Sequence, residues 1–130
     1  MKVALFGGTG FVGSYLIDGL IKNDHKPQIL IRPGSDDKLL NPKQCNIVNG
    51  TLSDASAIES TLEGADAVIY TVGIIRQFPK KGITFEALHF ESARHCMDLA
   101  AKLGIKRFIL MSANGVKMDG TGYQKTKFLA

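Results

Sequence analysis

Three glycines near the N-terminus have the spacing of a loop that binds an anionic ligand through backbone atoms. Gly7, Gly10 and Gly13 lie three residues apart, between a short apolar run and a pattern of helical spacing. Gly7 would permit a tight turn out of a strand, Gly10 would let the backbone approach a diphosphate, and Gly13 would let the helix pack closely. The context predicts a dinucleotide-binding loop, the alternative being a glycine turn with a structural role only. The predicted contacts are Gly7, Thr9, Gly10, Phe11, Val12 and Gly13.

The residue that follows the second apolar run bears on which dinucleotide binds. That run, Gln28–Ile31, is followed by Arg32, so no carboxylate stands where NAD-binding proteins use one for the ribose hydroxyls. A guanidinium there can bind the 2′-phosphate of NADP through two parallel hydrogen bonds, and Ser35 could add a hydroxyl. The alternative is a solvated arginine at a strand end. The sequence favours NADP and leaves NAD open.

Apolar runs and helical patterns alternate along the whole chain, except that the polar crossover Arg32–Cys45 is too short for a full helix. Strands that alternate with helices imply right-handed crossovers and a parallel sheet. The predicted fold is α/β, a Rossmann-type doubly wound parallel sheet with strand order 3-2-1-4-5. The predicted strands are Val3–Phe6, Gln28–Ile31, Asn46–Val48, Ala67–Val72 and Arg107–Met111, and the predicted helices are Phe11–Lys22, Ala55–Leu62, Phe85–Leu103 and a last one from about Tyr123.

The length of 130 residues fits one domain, predicted as an NAD(P)-binding Rossmann domain over residues 1–130. The last predicted helix would reach only Ala130, and the fifth strand would be left as a sheet edge. We therefore expect the domain to be truncated after the fifth strand and to form the N-terminal part of a longer protein.

Composition excludes several classes of function. The net charge is +4 and the basic residues are scattered, so no basic stripe for nucleic acid is present. No apolar run is long enough for a membrane span, and the N-terminus does not have the pattern of a signal peptide. Cys45 and Cys96 have no metal-binding or redox spacing, so we expect two buried, reduced thiols, no metal, and a cytoplasmic location.

Five stretches together resemble the short-chain dehydrogenase/reductase superfamily. They are GGTGFVG (7–13), Arg32, NGTLSD (49–54), YTVGI (70–74) and YQKTK (123–127). The extended and atypical branches, grouped as NAD-dependent epimerase/dehydratase-like, fit best. Within them, VGIIRQ (72–77), Phe85–His89 and GIKRFILMSANGV (104–116) are similar to the NADPH-binding subunit of respiratory complex I. The resemblance covers the whole chain, but only about the first half of a family member.

The resemblance implies a catalytic pair, Tyr123 and Lys127. In the family the lysine ammonium stabilises the tyrosinate and holds the nicotinamide ribose, and a spacing of four places both side chains on one helix face. A serine near the end of the fifth strand orients the substrate oxygen, and Ser112 is the serine available here. In many relatives that serine lies one or two residues further on, where this chain has Ala113 and Asn114.

The resemblance also implies further cofactor contacts. Thr51 stands where many relatives have an aspartate near the adenine, and Leu52 can still present backbone groups there. Val72 and Gly73 match the small residues beside the nicotinamide half, the alternative being an ordinary exit from a strand. His89 stands where many relatives have an asparagine that helps to shape the active site, a structural histidine being the alternative.

Two functions follow as expectations. The first is an NADP-dependent oxidoreductase or epimerase in which Tyr123 donates or accepts a proton. The second is a non-catalytic scaffold that binds NADP, or a redox-sensing subunit of a larger complex, as in the complex I-like relatives. The substrate is an unknown small molecule, and a homo-oligomer or a larger complex is left open.

Overall fold

A computed structural model describes residues 1–130, and it contains one parallel sheet of five strands in the order β3-β2-β1-β4-β5. This order confirms the predicted doubly wound fold. The strands are β1 (Lys2–Phe6), β2 (Lys26–Ile31), β3 (Asn46–Asn49), β4 (Ala67–Tyr70) and β5 (Phe108–Leu110). The helices are α1 (Phe11–Lys22), α2 (Ala55–Leu62), α3 (Ser92–Lys102) and α4 (Gly122–Leu129).

The central strand β1 is covered on both faces, which explains its continuous apolar sequence. Residues Val3–Phe6 are all buried. On one face, Ala4 and Phe6 pack in a core with side chains of α2 and α3, and on the other Leu5 packs with Ile17 of α1. The carboxyl ends of β1, β2 and β4 therefore open at one edge of the sheet, between the two helical layers.

The crossover from β2 to β3 has no α-helix, as predicted. It consists of two short 3₁₀ turns, Asp36–Lys38 and Pro42–Gln44, and the buried Leu39 between them anchors it in the core beside α1. None of the helices has the length and apolar character that crossing a bilayer requires.

The predicted helix Phe85–Leu103 is wrong in its first part. Residues Glu86–Glu91 form a π-helical turn, and regular α-helix begins at Ser92. Ser92 N–H bonds the carbonyl of Ala87, five residues back, as in a π-helix. The buried Tyr70 hydroxyl donates to the Leu88 carbonyl at 2.7 Å, which ties the end of β4 to this turn.

Candidate functional site

A cleft of about 530 Å³ lies at the carboxyl ends of β1, β2 and β4. Its lining includes two cationic side chains, Arg32 and Lys81, and no carboxylate. Eight of the residues predicted to contact a dinucleotide line it: Gly7, Thr9, Gly10, Arg32, Thr51, Leu52, Val72 and Gly73. The position at the strand ends and the sign of the charge both suit a ligand with phosphate groups.

The glycine loop has little room for side chains. Gly7 has a φ of +97°, and a Cβ atom there would lie 2.6 Å from Thr71 Oγ1. A Cβ atom on Gly13 would collide with the Gly7 carbonyl oxygen, so this glycine lets α1 start directly against the loop. Gly10 faces the cleft and is exposed, and its Cβ would meet only the Gly7 oxygen at 3.3 Å. The space beside Gly10 therefore belongs to the cleft.

The side chains of Phe11 and Val12 point away from the cleft. Phe11 is 80% exposed and packs edge-on against the Tyr15 ring, with centroids 5.3 Å apart. The first backbone bond of α1 is from Ser14 N–H to the Gly10 carbonyl, so the N–H groups of residues 11–13 are the free donors of the helix start. Any contact of Phe11, Val12 and Gly13 with a ligand would run through these backbone groups.

The end of the cleft beside β2 carries Arg32, which is exposed directly after the strand, and the backbone around Thr51 and Leu52. The Thr51 and Ser53 hydroxyls lie 2.8 Å apart and bond each other. Ser35 is buried and does not line the cleft. Arg32 is therefore the cationic group available at this end.

At the other end of the cleft, Lys127 of α4 reaches Gly73. Lys127 is buried, and its Nζ donates to the Met111 carbonyl at 3.0 Å. A Cβ atom on Gly73 would lie 3.4 Å from that Nζ, so a larger residue would crowd the ammonium. Burial lowers the pKa of Lys127. The cleft wall at Gly73 and the lysine ammonium are direct neighbours.

Tyr123 lies one turn before Lys127 and is held by two aromatic rings. Its ring contacts Phe85 and His89 edge-to-face, with centroids 5.9 Å and 5.1 Å away. A capping box between Thr121 and Gln124 fixes the start of α4. Among the other tyrosines, Tyr15 is exposed on α1, and burial raises the pKa of Tyr70 far above its ordinary value. Tyr123 is thus the tyrosine that shares α4 with Lys127.

His89 connects the cleft wall with α4. Its Nε2 lies 3.0 Å from Ile74 N–H and accepts that hydrogen, so the ring proton is on Nδ1, which donates to Thr126 Oγ1 at 3.1 Å. Burial, and next the nearby charge of Lys127, lower the pKa of His89 to about 4. At neutral pH the imidazole is uncharged, and both nitrogens are occupied in holding the structure.

Ser112 lies beside this group without entering it. It follows Met111, whose carbonyl binds Lys127, but its own side chain is exposed and does not line the cleft. Ala113 and Asn114 occupy the next two positions, of which Asn114 is exposed.

The sequence motifs do not mark one part of the cleft. Lys81, Gly82 and Ile83, from the segment between β4 and the π turn, line the cleft. No local motif marks these residues, because they reach the cleft through a loop that pairs with itself, with an antiparallel bridge between Phe78 and Ile83.

Residues 7–129 match the model of a family described as NAD(P)H-binding. The chain belongs to this NAD(P)H-binding family. The match covers the glycine loop, the cleft residues from Gly7 onward and all of α4. It establishes that the domain binds a nicotinamide dinucleotide.

The relatives of this NAD(P)H-binding chain agree with the resemblance to extended short-chain dehydrogenase/reductases. The chain is 29% identical to a ceramide reductase of Caulobacter vibrioides, over 85% of the chain and 34% of that protein. It is 26% identical to the mitochondrial NADH-ubiquinone oxidoreductase 40 kDa subunit of Neurospora crassa, over 84% of the chain and 30% of the subunit. A Bacillus halodurans structure assigned as an NAD-dependent epimerase/dehydratase superposes with a TM-score of 0.79 and 25% identity, over 99% of the chain and 62% of that structure. The chain spans about a third of the length of these two curated relatives.

Proposed function

We propose that the chain is the cofactor-binding domain of an NADP-dependent oxidoreductase or epimerase of the short-chain dehydrogenase/reductase type. The observation that supports this most is the placement of Lys127 beside Gly73, at the end of the cleft away from Arg32, with Tyr123 one turn earlier on α4. A proton carrier and a cation at one end of a dinucleotide cleft suit a reaction on a carbonyl or alcohol.

Each residue has a separate role in this proposal. The nicotinamide, when bound, supplies or accepts the hydride. Tyr123 moves a proton to or from the substrate oxygen, and the ammonium of Lys127 favours the tyrosinate and binds the ribose. His89 holds the wall at Ile74 against α4. Ser112, which follows the Met111 carbonyl that binds Lys127, would orient the substrate oxygen.

The preference for NADP is a further part of the proposal, and Arg32 supports it. The cleft offers this guanidinium after β2, and no carboxylate lines the cleft to accept the 2′-hydroxyl of NAD or to repel a 2′-phosphate. Both cysteines carry free thiols, but only Cys96 is buried, so the expectation of two buried thiols is wrong for the half-buried Cys45. Free thiols are typical of the reducing cytoplasm, where we propose that the protein acts.

The test combines binding with turnover. Titration by fluorescence should show tighter binding of NADPH than of NADH. Oxidation of NADPH should then be followed with a panel of aldehydes, ketones and nucleotide sugars, using the complete gene product. Tighter binding of NADH would contradict the NADP preference, and binding without turnover across the panel would favour the second candidate.

The second candidate is a non-catalytic subunit that uses the dinucleotide as a structural or redox-sensing element. Ser112, Tyr123 and Lys127 are all absent from the lining of the cleft, which favours it. The similarity to the NADH-ubiquinone oxidoreductase 40 kDa subunit also favours this candidate. In that case Tyr123 and Lys127 would serve as packing and ribose contacts only.

A further inference from the structure

The segment Phe78–Ile83 forms a closed loop at the edge of the cleft. Phe78 and Ile83 exchange two backbone hydrogen bonds, of 2.7 Å and 3.2 Å. Between them, Pro79–Lys81 make a 3₁₀ turn, and Gly82 takes the left-handed conformation with a φ of +69°. The Gln77 side chain accepts a hydrogen bond from Phe85 N–H at 2.9 Å, which ties the base of the loop to the π turn. The loop is therefore held in one conformation at both its base and its tip.

Two adjacent lysines on this loop have different surroundings. Both lysines are exposed, but Lys81 lines the cleft together with Gly82 and Ile83, whereas Lys80 does not. Because the internal bridge fixes the loop, a ligand would meet a cation whose backbone is already ordered, which lowers the entropic cost of the contact.

The two cationic residues that line the cleft lie on opposite sides of β1, whereas Lys127 lies beside Gly73 and is not among the lining residues. Arg32 follows β2, and Lys81 belongs to the loop after β4, while β1 lies between these two strands in the sheet. The glycine loop continues β1, so a diphosphate at this loop would lie between the two cations. Arg32 is at the end where a 2′-phosphate would bind, which leaves Lys81 for the diphosphate.

We propose that Lys81, presented by the loop Phe78–Ile83, binds the diphosphate of the dinucleotide, as a contact independent of the 2′-phosphate. This rests on the assignment of the cleft as the dinucleotide site. Lys81 thus contributes affinity for NADP and NAD alike, whereas Arg32 distinguishes between them.

The test compares Lys81→Ala with Lys80→Ala in the full chain. Each variant is titrated with NADPH, NADH and ADP-ribose, and its thermal unfolding is recorded to check the fold. Lys81→Ala should lower the affinity for all three ligands by a similar factor of roughly tenfold, as expected for loss of a charge-assisted contact. Lys80→Ala should leave all three affinities within about twofold, and Lys81→Arg should restore most of the loss.

Three results would overturn the proposal. They are unchanged affinities in Lys81→Ala, equal losses in both lysine variants, or a loss confined to NADPH, which would make Lys81 a second contact for the 2′-phosphate. Failure of the unaltered chain to bind any of the ligands would instead refute the assignment of the cleft. The two failures are therefore distinguishable.

Discussion

Two parts of the cleft are built in different ways. The part at the glycine loop is formed mainly by the backbone of one continuous segment, Gly7–Gly13, in which Thr9 is the one non-glycine residue that lines the cleft. The part at α4 is formed by side chains from separate segments, with Lys127 and Tyr123 held by Met111, His89 and Phe85. One part depends on local conformation, and the other depends on how distant elements pack.

This difference predicts that the two parts tolerate change differently. A loop that binds through its backbone requires small residues at fixed spacing, and this requirement is the same for any dinucleotide. A site made of side chains can lose one member while the others stay in place. Lys127 is held by the Met111 carbonyl and Tyr123 by two rings, so neither depends on the side chain of Ser112.

The largest effect is expected from Tyr123→Phe, which keeps the ring contacts to Phe85 and His89 and removes only the hydroxyl. If Tyr123 is the proton carrier, turnover in the complete gene product should fall by about 10²–10⁴ with little change in cofactor affinity. Steady-state kinetics with the best substrate of the panel measures this. Tyr15→Phe, at an exposed tyrosine on α1, is the control. Unchanged turnover in Tyr123→Phe would support the non-catalytic candidate.

In the glycine loop, Gly10→Val should lower dinucleotide affinity by more than roughly tenfold, because the added side chain fills the space of the diphosphate. Its stability should change little, since only the Gly7 oxygen is near. Gly19→Val adds the same side chain to open space on α1 and should bind normally. Fluorescence titration measures the dinucleotide affinity of both variants. An affinity of Gly10→Val equal to that of the unaltered chain would mean that the diphosphate binds elsewhere.

Arg32→Ala should separate the two cofactors. Loss of a charge-assisted contact to the 2′-phosphate should lower the affinity for NADPH about tenfold and leave the affinity for NADH nearly unchanged. Arg107→Ala removes an exposed arginine that does not line the cleft, and it should change the affinity for neither cofactor. Parallel weakening of NADPH and NADH in Arg32→Ala would show that Arg32 positions the loop instead of contacting the phosphate.

The smallest effect concerns pH. His89 has a pKa lowered from 6.5 to about 4 in the fold, so below pH 6.5 the unfolded chain binds a proton that the folded chain excludes. The free energy of unfolding should therefore decrease as the pH falls from 6.5 to 4, the window between the two pKa values of His89.

Denaturant titrations at several pH values, with His89→Gln for comparison, measure this contribution. The variant should lose stability at pH 7 but show a flatter pH profile than the unaltered chain. His95→Gln, at a half-buried histidine of α3, controls for the loss of a histidine elsewhere. Identical profiles in the unaltered chain and in His89→Gln would contradict the assignment of His89 as a neutral structural link.

The sequence predicted those parts of the molecule that depend on neighbouring residues. The bounds of α1 and α2, the strand order and the lack of a helix after β2 follow from apolar periodicity and from connection rules. The contribution of Lys81 could not be predicted, because a pairing between Phe78 and Ile83 brings it to the cleft. The π turn could not be predicted either, since the apolar pattern of α3 is compatible with uninterrupted α-helix.

That turn has a consequence for how this region can change in evolution. A π turn contains one residue more than an α-helix of the same rise needs. Deleting one residue within Glu86–Glu91 would let the α-helix extend backwards and leave the buried face of Ala93, Cys96 and Ala100 in place. The helical residues before the deletion would rotate by about 100° around the helix axis. Phe85 would leave the Tyr123 ring, so a single-codon deletion would separate α4 from this support without altering the core.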